Sequence, residues 1–157
     1  MRARGFTLIE LVVTIVIIGI LVSAALPLAE LAVKRSKEHE LRASLRQIRT
    51  ALDEYKRAGD EGRIVRKADE SGYPPSLDIL VEGVSDAKDP AKKRVIYFLR
   101  RVPRDPLADD SALPAAKTWG LRSYDSSHDA PREGKDVFDV YSLAPGVGLN
   151  GVPYTQW

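Results

Sequence analysis

The chain contains no cysteine, which removes disulfides, thiolate metal centres and cysteine nucleophiles at once and leaves the redox compartment open. It also lacks a phosphate loop, a His-x-x-x-His pair and a dinucleotide fingerprint, so the common cofactor motifs are excluded. Charge of one sign is not in excess. Lys and Arg number 24 against 22 Asp and Glu, leaving +2, and loss of Arg2 and Arg4 would bring this to zero; a polyanionic partner is poorly supported. The most consequential absence is local: the nineteen residues from Leu11 to Ala29 carry no formal charge.

That uncharged run, read as a helix, spans roughly 28 Å, close to the hydrocarbon thickness of a bilayer. A lone segment in lipid satisfies its backbone only as a helix, which overrides the poor helix propensity of the β-branched run from Val12 to Ile18. Arg2 and Arg4 precede it with no acidic residue among them, an arrangement that holds the N-terminus in the cytoplasm and sends the bulk of the chain across the membrane. The chain is 157 residues long and 44% hydrophobic. Much of that apolar share lies in the first 33 residues, so the remainder of the chain must fold around a modest core.

Glu10 stands just ahead of the uncharged run. Three readings of the segment compete. A secretory signal peptide would use the basic start, the apolar stretch and the small residues Ser23-Ala24-Ala25 as a cleavage site. A plain anchor would use only the apolar stretch. Neither gains from Glu10, whose charge is merely tolerated near an interface. The third reading rests on the motif "RGFTLIEL", Arg4 to Leu11, which resembles the prepilin processing signature of type IV pilins and type II secretion pseudopilins. The resemblance implies cleavage by a prepilin peptidase between Gly5 and Phe6, N-methylation of Phe6, and a role in filament assembly for Glu10. The physical rationale is neutralisation: in an apolar bundle of helices an unpaired charge is expensive, and a carboxylate of one subunit can offset the α-ammonium of its neighbour. Pro27 falls where that family often interrupts its helix. Its missing N–H frees the carbonyl of Ser23, so a helix break there, as a kink or a melted turn, is expected.

Beyond Pro27 the pattern becomes amphipathic. Leu41, Leu45, Ile48, Leu52 and Tyr55 succeed one another at spacings of four, three, four and three, one helical stripe. Charges on the other face predict helix-surface pairs: Glu38 with Arg42, Arg49 with Asp53, and Asp53 with Arg57. Gly59 and Gly62 end the run, giving one helix from about Phe6 to Ala58 apart from the break. Residues 34–67 hold eleven basic and six acidic residues. No aromatic residues interleave with the basic ones in the manner of a stacking platform, so these read as a solvated face rather than a nucleic-acid surface. Further on, Ser76 is placed to cap a short helix carrying Leu77, Ile79 and Leu80. "VIYFL", 95–99, predicts a strand. "TWGLRSYDS", 118–126, and "DVFDVYSLA", 136–144, alternate at period two and predict a hairpin. The Gly- and Pro-rich end is too irregular for regular structure, with Tyr154 and Trp157 pinning it.

The expected fold is therefore α+β: a long N-terminal helix packed on a small antiparallel sheet. Its organisation is a leader at 1–5, a transmembrane and polymerisation helix at 6–33, and a soluble domain at 34–157 that opens with the amphipathic helix 34–58. "GYPPSLDILV", "RVPRDP", "WGLRSY" and "DVFDVYSL" occur in the order seen in the major pseudopilin of type II secretion, and extend the resemblance over most of the chain. Two departures stand out. "LADDSALPAAK", 107–117, intervenes where Asp-Pro usually runs into Trp-Gly. The last loop, which in that family commonly binds calcium through aspartates, offers here only backbone carbonyls and Asn150; calcium takes six to eight oxygens, usually including carboxylates. No other cofactor is implied.

Residues with catalytic potential are few. Ser126, Ser127, His128 and Asp129 hold the atoms of a triad, but adjacent residues cannot form a relay, and His39 lies on the amphipathic helix. Asp105, Asp109 and Asp110 could gather a hard cation, although Asp-Pro and Asp-Asp in a loop mostly make turns. The resemblance implies a structural subunit rather than an enzyme. It would sit in the inner membrane with its domain in the periplasm, self-associate into a helical filament, and meet the prepilin peptidase, an inner-membrane assembly platform, other pseudopilins and lipid. A type IV pilus or DNA-uptake subunit is the neighbouring alternative. A tethered or secreted enzyme or binding module with an ordinary signal peptide is the alternative of a different class.

Overall fold

The computed structural model describes residues 7–67, 69–91 and 93–157. Its first element, α1, runs from Leu8 to Asp60, 53 residues or roughly 80 Å of helix. Thr7 starts it: the Thr7 hydroxyl accepts the Glu10 N–H at 3.3 Å and the Thr7 carbonyl accepts the Leu11 N–H at 3.2 Å, satisfying donors that a helix start leaves unpaired. At Pro27 the structure departs from expectation. The helix continues through this residue without a melted turn. Proline removes its own hydrogen bond to Ser23, while the helix continues on both sides of it.

The chain divides into two compact units, one ending at Lys37 and the other beginning at Glu38. In the first, large apolar side chains such as Ile9, Ile18, Ile20, Leu28 and Val33 are exposed. The best 18-residue window has a mean hydropathy of 2.8 with none of it buried. This stretch is long and apolar enough to cross a membrane.

The second unit is built on the stripe of α1 that the 3.6-residue period marks. Leu41, Leu45, Ile48, Ala51 and Leu52 join Leu77, Leu80, Leu99, Trp119, Val137, Val140, Ala144 and Tyr154 in one core. Strand pairing is sparser than the sequence suggests: among the described residues there are two separate two-stranded antiparallel ladders instead of one sheet. A one-turn helix, α2 (Ile79–Glu82), buries Leu80. Ser76 does not cap it. Asp78 occupies that position, without a side-chain hydrogen bond. Gly83, at φ 81°, then turns the chain into β1 (Val84–Ser85), which pairs with β2 (Val95–Ile96). The expected strand at 95–99 stops after two residues because the Phe98 and Leu99 N–H groups both donate to the Leu80 carbonyl.

The predicted hairpin is present. β3 (Trp119–Arg122) pairs with β4 (Asp139–Ser142) in the register Trp119↔Ser142 through Arg122↔Asp139. Along β4, Val140 and Ser142 are buried and Asp139 and Tyr141 are partly exposed, the period of two. Gly120 faces Tyr141, whose ring lies where a Cβ would sit, 2.4 Å away. The glycine gives the tyrosine a seat across the ladder. A 3₁₀ turn at Ala115–Thr118 leads into β3, and another spans Tyr154–Gln156.

Candidate assembly site

The first site lies at the start of α1. Gly5 and Phe6, the expected processing residues, fall outside the described residues. Glu10 is described and exposed, in the first turn of α1. Its backbone N–H is tied to Thr7. Its carboxylate has no hydrogen bond or ion pair among the described residues. A negative charge in the first turn is favoured by the helix dipole, and Thr7-x-x-Glu10 has the spacing of a capping box. Only the Thr7 half of that box is formed, through the Glu10 N–H. The carboxylate is thus a charge held in the first turn of an exposed apolar helix.

The second site fastens α1 to the end of the chain within the second unit. Glu38 is 3% exposed, and its Oε1 accepts the Leu149 N–H at 2.8 Å and the Tyr154 hydroxyl at 3.0 Å. Burial and the hydrogen bond to Glu38 push the Tyr154 phenol up to about 12, because both disfavour the phenolate. One helical turn onward, the Arg42 guanidinium stacks 4.4 Å from the centre of the Trp157 ring. Arg49 donates to Asp139 at 2.7 Å, to the Val140 carbonyl at 3.1 Å and to the Trp157 carbonyl at 2.7 Å. Tyr154 and Trp157 do pin the irregular end, as the sequence suggests.

These contacts correct the expected helix-surface pairs. Among the described residues, none of Glu38–Arg42, Arg49–Asp53 and Asp53–Arg57 is an ion pair. Glu38 and Arg49 reach across to β4 and the last turn instead, and Lys56–Asp60 is an i,i+4 pair on α1 at 2.8 Å. Arg122 shares Asp139 with Arg49.

The remaining candidates resolve as turns. Asp105 is buried, where it accepts the Ser142 hydroxyl at 2.6 Å and the Leu107 N–H at 2.8 Å. Asp110 accepts the Ala112 N–H. Among the described residues no group of His, Asp and Glu is arranged to hold a metal ion. Ser126 donates to the Ser123 carbonyl and Ser127 accepts from the Asp129 N–H, while His39 and His128 are exposed. No relay forms.

Against known families, residues 1–26 match the prokaryotic N-terminal methylation motif. The chain is 31% identical to the type II secretion system core protein G of Klebsiella pneumoniae, over 97% of this chain and 89% of that protein. It is 30% identical to the protein of the same name from Pectobacterium carotovorum, over 99% of this chain and 81% of that one. The chain belongs to the type II secretion core protein G family. The type IV major pilin PilA of Myxococcus xanthus is 38% identical over 47% of this chain and 33% of its own length. No solved structure matches the chain.

Within the core protein G family resemblance, the calcium of the last loop does not fit these residues. Loop 143–153 contains no Asp or Glu. Its one side-chain oxygen, Asn150 Oδ1, accepts the Val152 N–H at 3.1 Å. The carbonyls of Gly146, Gly148 and Val152 accept the N–H groups of Tyr154, Gly151 and Gly148. A hard cation wants several unencumbered oxygens, preferably charged.

Proposed function

We propose that the chain is the structural subunit of a type II secretion pseudopilus, which acts by assembling rather than by turning over a substrate. Membership of the core protein G family supports this reading, and the methylation motif supports processing by a prepilin peptidase. In this account the peptidase cuts between Gly5 and Phe6 and the new Phe6 amine is methylated. The subunit waits in the inner membrane through the apolar half of α1, N-terminus cytoplasmic and second unit periplasmic. Polymerisation then moves that half from lipid into a bundle of like helices, under an assembly platform and alongside other pseudopilins. Pro27, already missing one ladder hydrogen bond, is the place where α1 would yield on packing.

The observation that carries the reading is Glu10: a carboxylate without a partner among the described residues, on an exposed apolar helix, at the fifth position after the proposed cleavage point. In the filament it neutralises a neighbour's α-ammonium and sets the register. Because Glu10 also sits in the first turn of α1, where a negative charge favours the helix, two variants are needed. Glu10→Gln keeps the size of the side chain and loses the charge; Glu10→Ala loses both. Both variants are expected to insert and to be cleaved, and both to fail in filament assembly. Normal filaments from Glu10→Gln would sink the charge-pair mechanism. A pilus subunit is the second reading, supported by the match to the pilin PilA, which covers a smaller part of the chain.

A further inference from the structure

The loop before the last turn is built in the opposite electrical sense to a cation site. In a calcium loop several oxygens converge on one positive centre. Here donors converge on one negative centre: the Leu149 N–H and the Tyr154 hydroxyl both point at Glu38 Oε1. The partners are separated by 111 and 116 positions in sequence, so the contact closes the chain's end onto α1. Glu38 is buried, and a buried carboxylate of this kind makes strong, charge-assisted hydrogen bonds. The loop satisfies itself around that point, since Val152 O accepts both Gly148 N–H and the Trp157 indole N–H.

We propose that the Glu38 carboxylate is the fastener of the C-terminal loop in place of a divalent cation, so that the loop folds onto α1 without calcium. Glu38 acts as a positioning residue: it holds Leu149 and Tyr154, and through them the turn at 154–156. This holds for the isolated subunit and does not rest on the assembly reading; its test reads no filament, so either can fail alone.

The test uses the full chain in detergent micelles, with hydrogen exchange at the Leu149 amide and thermal unfolding in millimolar CaCl2 or in chelator. For the natural sequence, Leu149 protection is expected to be the same in both conditions, and the unfolding midpoint to agree within about 1 °C. Glu38→Leu is expected to speed Leu149 exchange by about tenfold or more, the loss of a hydrogen bond to a charged acceptor, with no recovery in calcium and with Val140 on β4 still protected. Should Glu38→Leu lose protection throughout, Tyr154→Phe decides, since it keeps the ring in the core and removes one of the two donors; faster Leu149 exchange is expected there too. Calcium raising the midpoint or protecting Leu149 in the natural sequence would overturn the proposal, as would unchanged Leu149 exchange in the variant that stays folded.

Discussion

Replacing Tyr154 by phenylalanine removes one hydroxyl and leaves the ring against Trp157, 5.2 Å between centres. The consequence depends on pH in a way the structure specifies. An unfolded tyrosine loses its proton near pH 10, whereas in the folded chain burial and the hydrogen bond to Glu38 push Tyr154 up to about 12. Below pH 10 both states are protonated and the hydroxyl's stabilisation is fully present. Between pH 10 and 12 the unfolded chain releases a proton that the folded chain retains, so stability falls as pH rises. Two pKa units place the total loss at roughly 3 kcal/mol. Tyr154→Phe lacks this contribution. It starts about 1–2 kcal/mol less stable at pH 8, through the missing bond to a carboxylate, and the gap closes or reverses by pH 12. The assay is denaturant unfolding of the full chain in detergent at a series of pH values, tracked by fluorescence of the buried Trp119. Burial also raises Tyr55 and Tyr73, but both are present in each protein and cancel in the difference. A stability difference constant from pH 8 to 12 would refute the reasoning.

Ile48→Ala empties a fully buried position on the core stripe and is expected to destabilise the second unit by about 2–5 kcal/mol in the same unfolding assay, while membrane insertion is unaffected. Arg49→Met keeps most of the aliphatic packing but removes donors to Asp139, Val140 and Trp157. Because the Arg49 side chain is 39% exposed, the expected loss is only about 1–2 kcal/mol, read as a lower unfolding midpoint and faster exchange at Val140.

Legibility in the sequence tracks the range of each interaction. The stripe Leu41–Leu45–Ile48–Leu52 is a local period, and it became the core. Alternation in "DVFDVYSLA" is equally local and marked β4 with its partner β3. The short ladder β1–β2 was half hidden, because two-residue strands leave no period to detect. At Pro27 the sequence shows a missing donor, and α1 carries no melted turn there, since one missing donor weakens a helix without ending it. The largest misreading was of charge. Spacing rules see only neighbours on the same helix, so Glu38 and Arg49 looked like surface pairs. Their real partners, Tyr154 and Asp139, lie about a hundred residues away and are set by the fold. Asp105 shows the same limit, a turn-forming Asp-Pro whose buried carboxylate also holds Ser142. At the start of the chain the motif around Glu10 was legible throughout, since its order of residue types carries the signal.

Processing between Gly5 and Phe6 is the step that would turn the membrane-held chain into a filament subunit. N-terminal mass spectrometry of the protein recovered from its native membrane reads it out. A mature chain beginning with N-methylated Phe6 is expected. A chain beginning at Leu26, as signal cleavage after Ala25 would leave, or one retaining Met1, would contradict it.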